Sequence, residues 1–311
     1  MTCSIVVATF NGEKYIEKQL ISLVSQTRKA DEIILSDDGS TDKTIEMVNK
    51  FVADYSNVRL VINRNKKGFS SNFINACDNS SGDIIFFCDQ DDIWEPTKIY
   101  EMMQVFETKP FVAGLLCKDV LIDGNDRKIK SFSHSFLNHI SYRRLSRINL
   151  KKMVKKFCCS GLLFAVKRDI FLKCRNIIVD NSISHDVPMG IITSSANCYY
   201  FLNRNLVLHR IHTANTSQPK VSISSKIKNR EHIEKSIENK ICWLESCLPE
   251  VQKNASERLF KKYKKTIDDY KSILVFFREG KRAKILLKVF SANTLIHKGF
   301  VFSVFLSSRK R

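Results

Sequence analysis

Three features are missing from this 311-residue sequence, and each absence narrows the class of protein. It has no uninterrupted apolar segment of about 20 residues, which a helix needs to cross a bilayer. Met1 leads directly into an apolar segment, without the basic start and the cleavage site of a secretory signal. No two of the ten cysteines have the C-x-x-C spacing of zinc fingers. We therefore expect a cytoplasmic protein with reduced cysteines and no membrane span.

Acidic residues are scarce relative to basic ones. The chain has 51 Lys and Arg against 32 Asp and Glu, which gives a net charge of +19 and a pI near 9.5. A surface this basic favours polyanionic partners, namely nucleic acid, acidic lipid headgroups or phosphorylated substrates. With 43% hydrophobic residues, the chain can still bury a large core in one large or two modest domains.

The first third of the sequence alternates between strand-like and helix-like segments. Short β-branched and aromatic runs predict strands at 4–8, 32–36, 58–62 and 83–88. Helical spacing of apolar residues predicts helices at 13–26, 41–51 and 70–77, with Ser40 or Thr41 as the N-cap of the second. Further strands are expected within 111–122 and 160–166, and a helix from Arg168. This alternation predicts an α/β fold with a mostly parallel sheet, whose ligands bind at the carboxyl ends of the strands.

Acidic residues follow the fourth predicted strand directly. The apolar run 84–88 leads into Asp89, Gln90, Asp91 and Asp92. Residues two apart on an extended segment point the same way, so Asp89 and Asp91 can face one ion. Carboxylate oxygens are ligands that Mg²⁺ and Mn²⁺ favour. The pair therefore predicts a divalent cation, with a solvated acidic turn as the alternative.

Polar residues also follow the first three strands. Thr9 and Asn11 come after the first strand and Asp38 after the second. A carboxylate at Asp38 can bind a nucleobase or ribose, or it can form an Asx-turn or a helix cap. Lys67 and Gly68 follow the third strand, where a cation beside glycine suits the close approach of a diphosphate.

Two histidine-containing segments complete the set of candidates. Asp186 follows His185 and can act as a general base on an acceptor hydroxyl within hydrogen-bond reach. His185 itself is expected to be a packed side chain. His212, in the segment His209-Arg210-Ile211-His212, can complete a metal shell, and a structural histidine is the equal alternative.

Four segments together resemble the family 2 glycosyltransferases, which are inverting nucleotide-sugar enzymes of the GT-A fold. They are Ser-Ile-Val-Val-Ala-Thr-Phe-Asn-Gly (4–12), Ser-Leu-Val-Ser-Gln-Thr (22–27), Ser-Asp-Asp-Gly-Ser-Thr-Asp (36–42) and Cys-Asp-Gln-Asp-Asp-Ile-Trp (88–94). Residues 90–94 and the motif His209-Arg210-x-His212-x-x-Asn215 resemble the rhamnosyltransferase-like subset. That subset often has tryptophans after the acidic motif, where this chain has Val187-Pro188-Met189-Gly190.

The resemblance implies a role for each candidate residue. The nucleotide-sugar site would consist of Thr9, Asn11, Asp38, Lys67, Gly68, Asp89 and Gln90. Thr9 and Asp38 would bind the base and ribose. The metal site, for Mn²⁺ or Mg²⁺, would consist of Asp91, Asp89 and His212, with Asp91 as the direct ligand. Asp186 would be the catalytic base of a single displacement that inverts the anomeric carbon.

The resemblance also implies a function in the synthesis of a bacterial capsule, O-antigen or similar surface glycan. The expected reaction transfers rhamnose from dTDP-rhamnose to a lipid-linked oligosaccharide, and a UDP-hexose donor is the alternative. A sugar-phosphate nucleotidyltransferase is disfavoured, because the loop after the first strand has one glycine and no early cation. A nucleic-acid binder is disfavoured because the basic residues do not interleave with aromatic ones, so we expect no nucleic-acid partner.

Composition divides the chain near residue 218. We expect a GT-A domain at 1–218, with a nucleotide-binding half at 1–108 and an acceptor half at 109–218. A basic helical extension is expected at 219–311. Within it, 285–305 mixes Leu, Val and Phe with lysines. This pattern predicts either a peripheral helix on the inner face of the cell membrane or a helix packed on the body or in a homodimer.

Overall fold

A computed structural model describes residues 1–129, 143–181, 183–212 and 230–281, together with Lys284, Ile285 and Val304. The strands are β1 (Cys3–Thr9), β2 (Glu32–Asp37), β3 (Val58–Ile62), β4 (Ile84–Asp89), β5 (Ile93–Trp94), β6 (Gly114–Ile122), β7 (Leu145–Arg147), β8 (Phe164–Lys167) and β9 (Tyr199–Arg210). They form one sheet in the order β3-β2-β1-β4-β8-β6-β9-β5, and β7 also pairs with β9. The four strands expected in the first third correspond to β1–β4 within one residue at each end.

The first half of the sheet is parallel. β1 lies between β2 and β4, and β2 pairs with β3. Successive side chains of β1 and β4 are buried on both faces, as in strands that are covered from both sides. Because these strands run in the same direction, their carboxyl ends meet at one edge of the sheet. The expected α/β, Rossmann-like class is confirmed by this arrangement.

Beyond β4 the sheet is mixed. β8 is antiparallel to both β4 and β6. β9 is parallel to β6 but antiparallel to β5 and β7. The short strand β5 follows the acidic turn, and it pairs Ile93 with Leu208 on β9. This pairing brings the acidic turn beside the end of β9, where the histidine segment lies.

The helices of the described residues flank and extend this sheet. They are α1 (Ile16–Val24), α2 (Thr44–Asp54), α3 (Phe69–Asp78), α4 (Lys98–Thr108), α5 (Leu150–Lys156), α6 (Arg168–Asn181), α7 (Asp186–Ser195), α8 (Arg230–Ser246), α9 (Leu248–Asn254) and α10 (Glu257–Arg278). The helix expected from Arg168 is present as α6. The segment 160–166 is only partly strand, because a 3₁₀ turn at Gly161–Leu163 precedes β8.

The second helix begins later than the sequence indicates. Its N-cap is Lys43, so the expected N-cap at Ser40 or Thr41 is wrong. The Ser40 hydroxyl instead donates to Asp37, and the Thr41 N–H donates to the side chain of Asn11. The Asn11 N–H also donates to the Ser40 hydroxyl at 2.9 Å, so Ser40 and Thr41 join the β1 and β2 loops instead of capping the helix.

The described part of the C-terminal extension packs on the rest of the protein. α9 packs against α7, and α8 packs against α10, α6 and α7. One continuous cluster of buried apolar side chains extends from Ile5 on β1 to Ile273 on α10. Asn215 and the expected membrane segment 285–305 lie outside the described residues, apart from Ile285 and Val304. Among the helices described here, none has the length and hydrophobicity that a membrane span requires.

Candidate functional site

Three carboxylates meet where β4 ends. Asp89, Asp91 and Asp92 each offer an oxygen atom, and these atoms lie within 4.8 Å of one another. Asp89 is the last residue of β4, and the other two lie in the turn that leads to β5. Asp92 is buried, whereas Asp89 and Asp91 are partly buried. The cluster therefore lies at the carboxyl edge of the parallel strands, where ligands bind in open α/β sheets.

Burial and repulsion from neighbouring carboxylates favour the protonated forms of Asp89 and Asp92. Burial, together with the charge of Asp91, raises the pKa of Asp89 to about 7. Burial also raises the pKa of Asp92, against the opposing effect of His209. One oxygen of Asp92 has no hydrogen-bond partner among the described residues. Hard oxygen donors that repel one another fit a divalent cation such as Mg²⁺ or Mn²⁺, which would relieve the repulsion.

His212 reaches the same cluster from the end of β9. Its Nε2 lies 2.8 Å from Oδ2 of Asp91. Its ring packs against Tyr15, with the ring centroids 4.8 Å apart. The structure thus brings Asp91 and His212 together across 121 residues of sequence. This contact suits a metal ligand and a hydrogen-bonded structural histidine alike, so the predicted ligand role stays a prediction.

Arg210 holds the acidic turn in place. Its Nε donates to the carbonyl of Asp91 at 2.7 Å, and its backbone N–H donates to the side chain of Asp92 at 2.9 Å. The guanidinium also donates to the carbonyl of Asp123 at 3.0 Å and forms an ion pair with Asp126. Since Arg210 is fully buried, these contacts fix the turn against β9. Rigid positioning of this kind is what a metal or diphosphate site requires.

A partly buried ion pair lies beside the cluster. Nδ1 of His209 is 2.9 Å from Oδ2 of Asp119. Burial alone would lower the pKa of His209, but the hydrogen bond to Asp119 and the charges of Asp92, Asp119 and Asp89 raise it to about 9. His209 is therefore protonated at neutral pH. Its positive charge offsets part of the repulsion among the carboxylates.

Lys98 places a second buried cation near the same carboxylates. Its Nζ donates to the carbonyl of Leu162 at 3.0 Å and lies 3.5 Å from the ring centroid of Trp94. Burial lowers the pKa of Lys98, while the charges of nearby Asp92 and Asp89 act in the opposite direction. The bond to Leu162 joins the start of α4 to the 3₁₀ turn before β8. Lys98 thereby connects the acidic turn to the segment that contacts His185.

Asp186 is the first residue of α7 and belongs to the same site. It is 8% exposed and accepts a hydrogen bond from the Ser184 hydroxyl. Its charge contributes to the raised pKa of Asp89, so the two carboxylates are near enough to interact electrostatically. Burial, together with the charge of nearby Asp186, raises the pKa of the Cys159 thiol, whose Sγ donates to the carbonyl of Phe157 at 3.7 Å.

His185 fixes the start of α7 by packing, as the sequence predicts. Its ring centroid lies 4.3 Å from that of Phe73 and 4.7 Å from that of Phe87. Burial lowers the pKa of His185. Gly161 leaves room for the ring, because a Cβ at that position would lie 2.5 Å from Nε2 of His185. The neighbouring Asp186 is therefore positioned by a tightly packed aromatic cluster.

The predicted nucleotide residues of β1, β2 and β3 lie at the same edge. Asp38 is 8% exposed and accepts hydrogen bonds from the Asn63 amide and the Gly68 N–H, both at 2.8 Å. Gly68 has a φ of 135°, which favours glycine. The Thr9 hydroxyl donates to Asp37 at 2.8 Å, and its side chain is buried.

The remaining predicted residues connect neighbouring loops. The side-chain carbonyl of Asn11 accepts from the Thr41 N–H at 2.8 Å. The amide of Gln90 binds both the N–H and the carbonyl of Phe10, each at 2.9 Å. The ammonium of Lys67 lies 3.1 Å from where a Cβ on Gly39 would be. The structure therefore brings the β1, β2, β3 and β4 loops together, and the ligand roles of these residues stay predictions.

The sequence matches the family model described as "Glycosyl transferase family 2" over residues 4–175, which is more than half of the chain. The chain belongs to glycosyl transferase family 2. The matched region of this family 2 glycosyltransferase contains β1 to β4, the acidic cluster and Cys159, and it ends within α6 before Asp186.

Curated relatives of this family 2 glycosyltransferase match it over different lengths. The dTDP-rhamnosyl transferase RfbG of Shigella flexneri is 26% identical over 243 residues, which are 71% of this chain and 77% of that protein. An uncharacterized glycosyltransferase of Nostoc sp. is 29% identical over 43% of this chain and 41% of that protein. The UDP-Glc:alpha-D-GlcNAc-diphosphoundecaprenol beta-1,3-glucosyltransferase WfaP of Escherichia coli is 37% identical over 34% of this chain. The match spans less than half the length of the Nostoc and E. coli proteins.

Solved structures show that the fold is of the expected GT-A type. S. aureus TarS 1–349 in complex with UDP-GlcNAc has a TM-score of 0.55 and 18% identity, over 90% of this chain and 92% of that chain. Mannosyltransferase PcManGT from Pyrobaculum calidifontis, in complex with GDP-Man and Mn²⁺, has a TM-score of 0.55 and 14% identity. That likeness covers 97% of this family 2 glycosyltransferase and 85% of the mannosyltransferase. At these identities the likeness establishes the fold.

The structure adds residues to the site that the sequence analysis missed. Asp119 is a buried acid within the apolar strand β6, and that interruption of an apolar pattern was an available signal. Lys98 and Cys159 had no such signal, because each contacts the site through residues distant in sequence. Arg210 was visible in the histidine segment, but its contacts with the acidic turn depend on the β5–β9 pairing.

Proposed function

We propose that this protein is a metal-dependent, inverting glycosyltransferase that moves a sugar from a nucleotide-sugar donor to a lipid-linked oligosaccharide in the synthesis of a surface glycan such as a capsule or O-antigen. One observation carries the proposal. The acidic cluster lies where β4 ends, and the carboxylate of Asp186 on α7 is near enough for its charge to raise the pKa of Asp89. This chemistry needs acidic groups that bind a cation and a separate carboxylate that accepts a proton.

Asp91, Asp89 and His212 would hold Mn²⁺ or Mg²⁺. When bound, the cation would neutralise negative charge on the departing nucleoside diphosphate. Arg210 holds the acidic turn through the Asp91 carbonyl, and His209 offsets the carboxylate repulsion. These residues keep the diphosphate-binding groups in position without having to move during the reaction.

Asp186 would act as the general base. The acceptor hydroxyl attacks the anomeric carbon from the face opposite the diphosphate, and its proton passes to Asp186. The bond between that carbon and the diphosphate oxygen breaks through an oxocarbenium-like transition state. This single displacement inverts the configuration at the anomeric carbon. The packing of His185 and the hydrogen bond from Ser184 would keep the carboxylate oriented.

Rhamnose from dTDP-rhamnose is the donor that we propose first. It is supported by the similarity to the Shigella rhamnosyltransferase, which extends over 71% of this chain. A UDP-hexose is the second candidate. It is supported by the higher identity to the E. coli glucosyltransferase, which extends over only 34% of the chain.

A donor screen tests the proposal. The protein would be incubated with dTDP-rhamnose, UDP-glucose and UDP-N-acetylglucosamine, with Mn²⁺, Mg²⁺ or EDTA, and the released nucleoside diphosphate would be measured. We expect release with one donor class, only in the presence of a cation, and we expect NMR of the product to show inversion. Failure of every donor to bind or react in the presence of either cation would contradict the proposed function.

We also propose that the protein acts at the cytoplasmic face of the membrane, through its basic C-terminal helices. Deleting the residues after Lys284 tests this location. We expect the shortened protein to lose binding to vesicles of anionic lipid. Equal binding by both proteins would contradict the membrane role and would favour packing on the body or in a homodimer.

A further inference from the structure

The turn that follows β6, residues 123–127, contacts the buried Arg210, and we call it the β6 turn. A hydrogen bond from the Asp123 N–H to the Arg127 carbonyl closes it at 2.9 Å. The carboxylate of Asp123 also accepts from the N–H groups of Asn125 at 2.8 Å and Arg127 at 3.0 Å. Asp126 has a φ of 67°, a backbone conformation that Asp and Asn adopt more readily than most residues. The β6 turn therefore holds Asp126 in a defined position.

The carboxylate of Asp126 binds two cations. One of its oxygens accepts from Nη1 of Arg210, and the other forms an ion pair with Lys18 on α1. The hydrogen bonds from Lys18 and Arg210 hold the pKa of Asp126 below its ordinary value, although burial opposes them. The side chain of Lys18 is 58% exposed, whereas that of Arg210 is 1% exposed. Since an exposed ion pair contributes little and a buried charge depends strongly on its partner, the contact with Arg210 is the important one.

Arg210 transmits this contact to the acidic turn. Its guanidinium is planar and rigid, so a bond at Nη1 also sets the direction of Nε. Nη1 donates to the Asp126 carboxylate and to the Asp123 carbonyl, and Nε donates to the Asp91 carbonyl at 2.7 Å. One rigid group thus joins the β6 turn to the acidic turn. A guanidinium that rotated away from Asp126 would release the backbone of Asp91.

Tyr15 joins the β6 turn to His212. The Tyr15 ring centroid lies 4.6 Å from Cζ of Arg210 and 4.8 Å from the ring centroid of His212. A Cβ on Gly124 would lie 3.2 Å from the Tyr15 hydroxyl, so the β6 turn approaches this ring closely. Nε2 of His212 in turn lies 2.8 Å from the Asp91 carboxylate. The β6 turn therefore supports Asp91 in two ways, at its carbonyl through Arg210 and at its carboxylate through Tyr15 and His212.

We propose that Asp126 is a positioning residue for the acidic turn and that, through Arg210, it raises the affinity of the site for a divalent cation. Its charge holds the guanidinium with Nε directed at the Asp91 carbonyl. Without that charge the guanidinium reorients, and the Asp91 carboxylate is held less firmly in the arrangement that binds the cation. The effect on cation affinity rests on the proposed function, because it takes Asp91 as the metal ligand. The effect on Arg210 does not depend on that function.

Hydrogen exchange of the Arg210 Nε–H tests the contact in the metal-free protein. NMR of the protein with isotope-labelled arginine, in EDTA, should show a slowly exchanging Nε–H signal that Arg210→Lys lacks. Asp126→Gly removes the carboxylate and suits the positive φ, and we expect exchange about tenfold faster. Asp126→Asn keeps an acceptor without the charge, so its rate should be intermediate, and it carries the test alone if the glycine variant does not fold. The control Asp123→Asn removes the same charge from the same turn, keeps an oxygen that accepts the turn N–H groups, and should exchange as the wild type does.

Mn²⁺ binding measures the consequence for the site. Electron paramagnetic resonance of free Mn²⁺ gives the dissociation constant, with and without UDP or dTDP. We expect binding about tenfold weaker in Asp126→Gly, intermediate in Asp126→Asn, and within about twofold of wild type in Asp123→Asn. Urea denaturation in EDTA identifies a merely structural role. Such a role would lower the free energy of unfolding of the Asp126 variants but leave the Nε–H exchange and the Mn²⁺ affinity of the folded proteins unchanged.

Three results would overturn the inference. One is exchange of the Arg210 Nε–H at the wild-type rate in both Asp126 variants. Another is an equal change in Asp123→Asn, which would assign the effect to the net charge of the β6 turn. The third is faster exchange with unchanged Mn²⁺ affinity, because the acidic turn would then not depend on the orientation of Arg210. A wild-type protein that binds no Mn²⁺, with or without UDP or dTDP, would count against the proposed function instead, and the Nε–H exchange would then decide the positioning role of Asp126.

Discussion

Replacing Asp89 with asparagine should stabilise the metal-free protein, although it removes a residue of the proposed site. Asp89 lies beside Asp91 and Asp92, and burial together with the charges of Asp91 and Asp186 makes its ionised form unfavourable. Asparagine has nearly the same shape and carries no charge at any pH. The substitution therefore removes the repulsion and leaves the packing in place.

The size of the effect follows from the pKa of Asp89, which burial raises from 3.8 to about 7. The folded state holds the proton more tightly than the unfolded state. The stability that the protonated Asp89 carboxyl contributes is therefore fully present below about pH 4. It is lost as the pH rises through 7. At about 1.4 kcal/mol per pKa unit, the shifted pKa of Asp89 lowers the free energy of unfolding by about 2 kcal/mol at pH 5 and about 4 kcal/mol at pH 8. Asp89→Asn should therefore have a higher free energy of unfolding than the wild type. We expect this difference to be about 2 kcal/mol larger at pH 8 than at pH 5.

Urea denaturation in EDTA at both pH values measures this difference. Asp268→Asn, which replaces an exposed carboxylate on α10, is the control and should show no such dependence. Saturating Mn²⁺ should reverse the order at pH 8, because the wild type gains stability from a cation that the variant binds poorly. The reasoning is refuted if Asp89→Asn is no more stable than wild type at pH 8, or if its gain is equal at pH 5.

Three further substitutions test individual parts of the site. Asp91→Asn should abolish transfer and weaken Mn²⁺ binding at least tenfold, while its thermal unfolding temperature stays within a few degrees of the wild type's. Mn²⁺ binding at wild-type strength, measured by calorimetry, would exclude Asp91 as a ligand. Asp186→Asn should lower kcat at least a hundredfold with unchanged affinity for the nucleoside diphosphate, and full activity would require another base. Gly161→Ala should destabilise the protein by about 1–3 kcal/mol in urea denaturation and reduce kcat, because the added Cβ would clash with the buried ring of His185. Wild-type stability of this variant would show that the ring can move.

The strands β1 to β4 could be predicted because each is a short apolar run bounded by polar residues. The predicted bounds of β3, 58–62, agree with the structure at both ends. β5 and β7 have only two and three residues, which is too short for a periodic pattern. β9 was not predicted as a strand, because Asn203, Arg204 and Asn205 interrupt its apolar pattern. These three strands are defined by pairing with partners that are distant in sequence.

The site was predictable where chemistry follows local sequence. Asp89 and Asp91 directly follow a buried strand, and their convergence is confirmed by the acidic cluster. The contacts of His209 with Asp119 and of Lys98 with Leu162 join residues more than 60 positions apart, and no local pattern encodes them. Gln90 illustrates a second difficulty. Its side chain binds the backbone of Phe10, and a sequence cannot distinguish such a loop contact from a ligand contact.

The most direct test of the central claim is a crystal structure of the protein with Mn²⁺ and the nucleoside diphosphate of its donor. We expect the ion to contact the Asp91 carboxylate, the diphosphate to contact the ion, and the nucleobase to lie near Asp38. A nucleotide bound away from the carboxyl edge of β1, β2 and β4, or an ion with no contact to Asp91, would contradict the account.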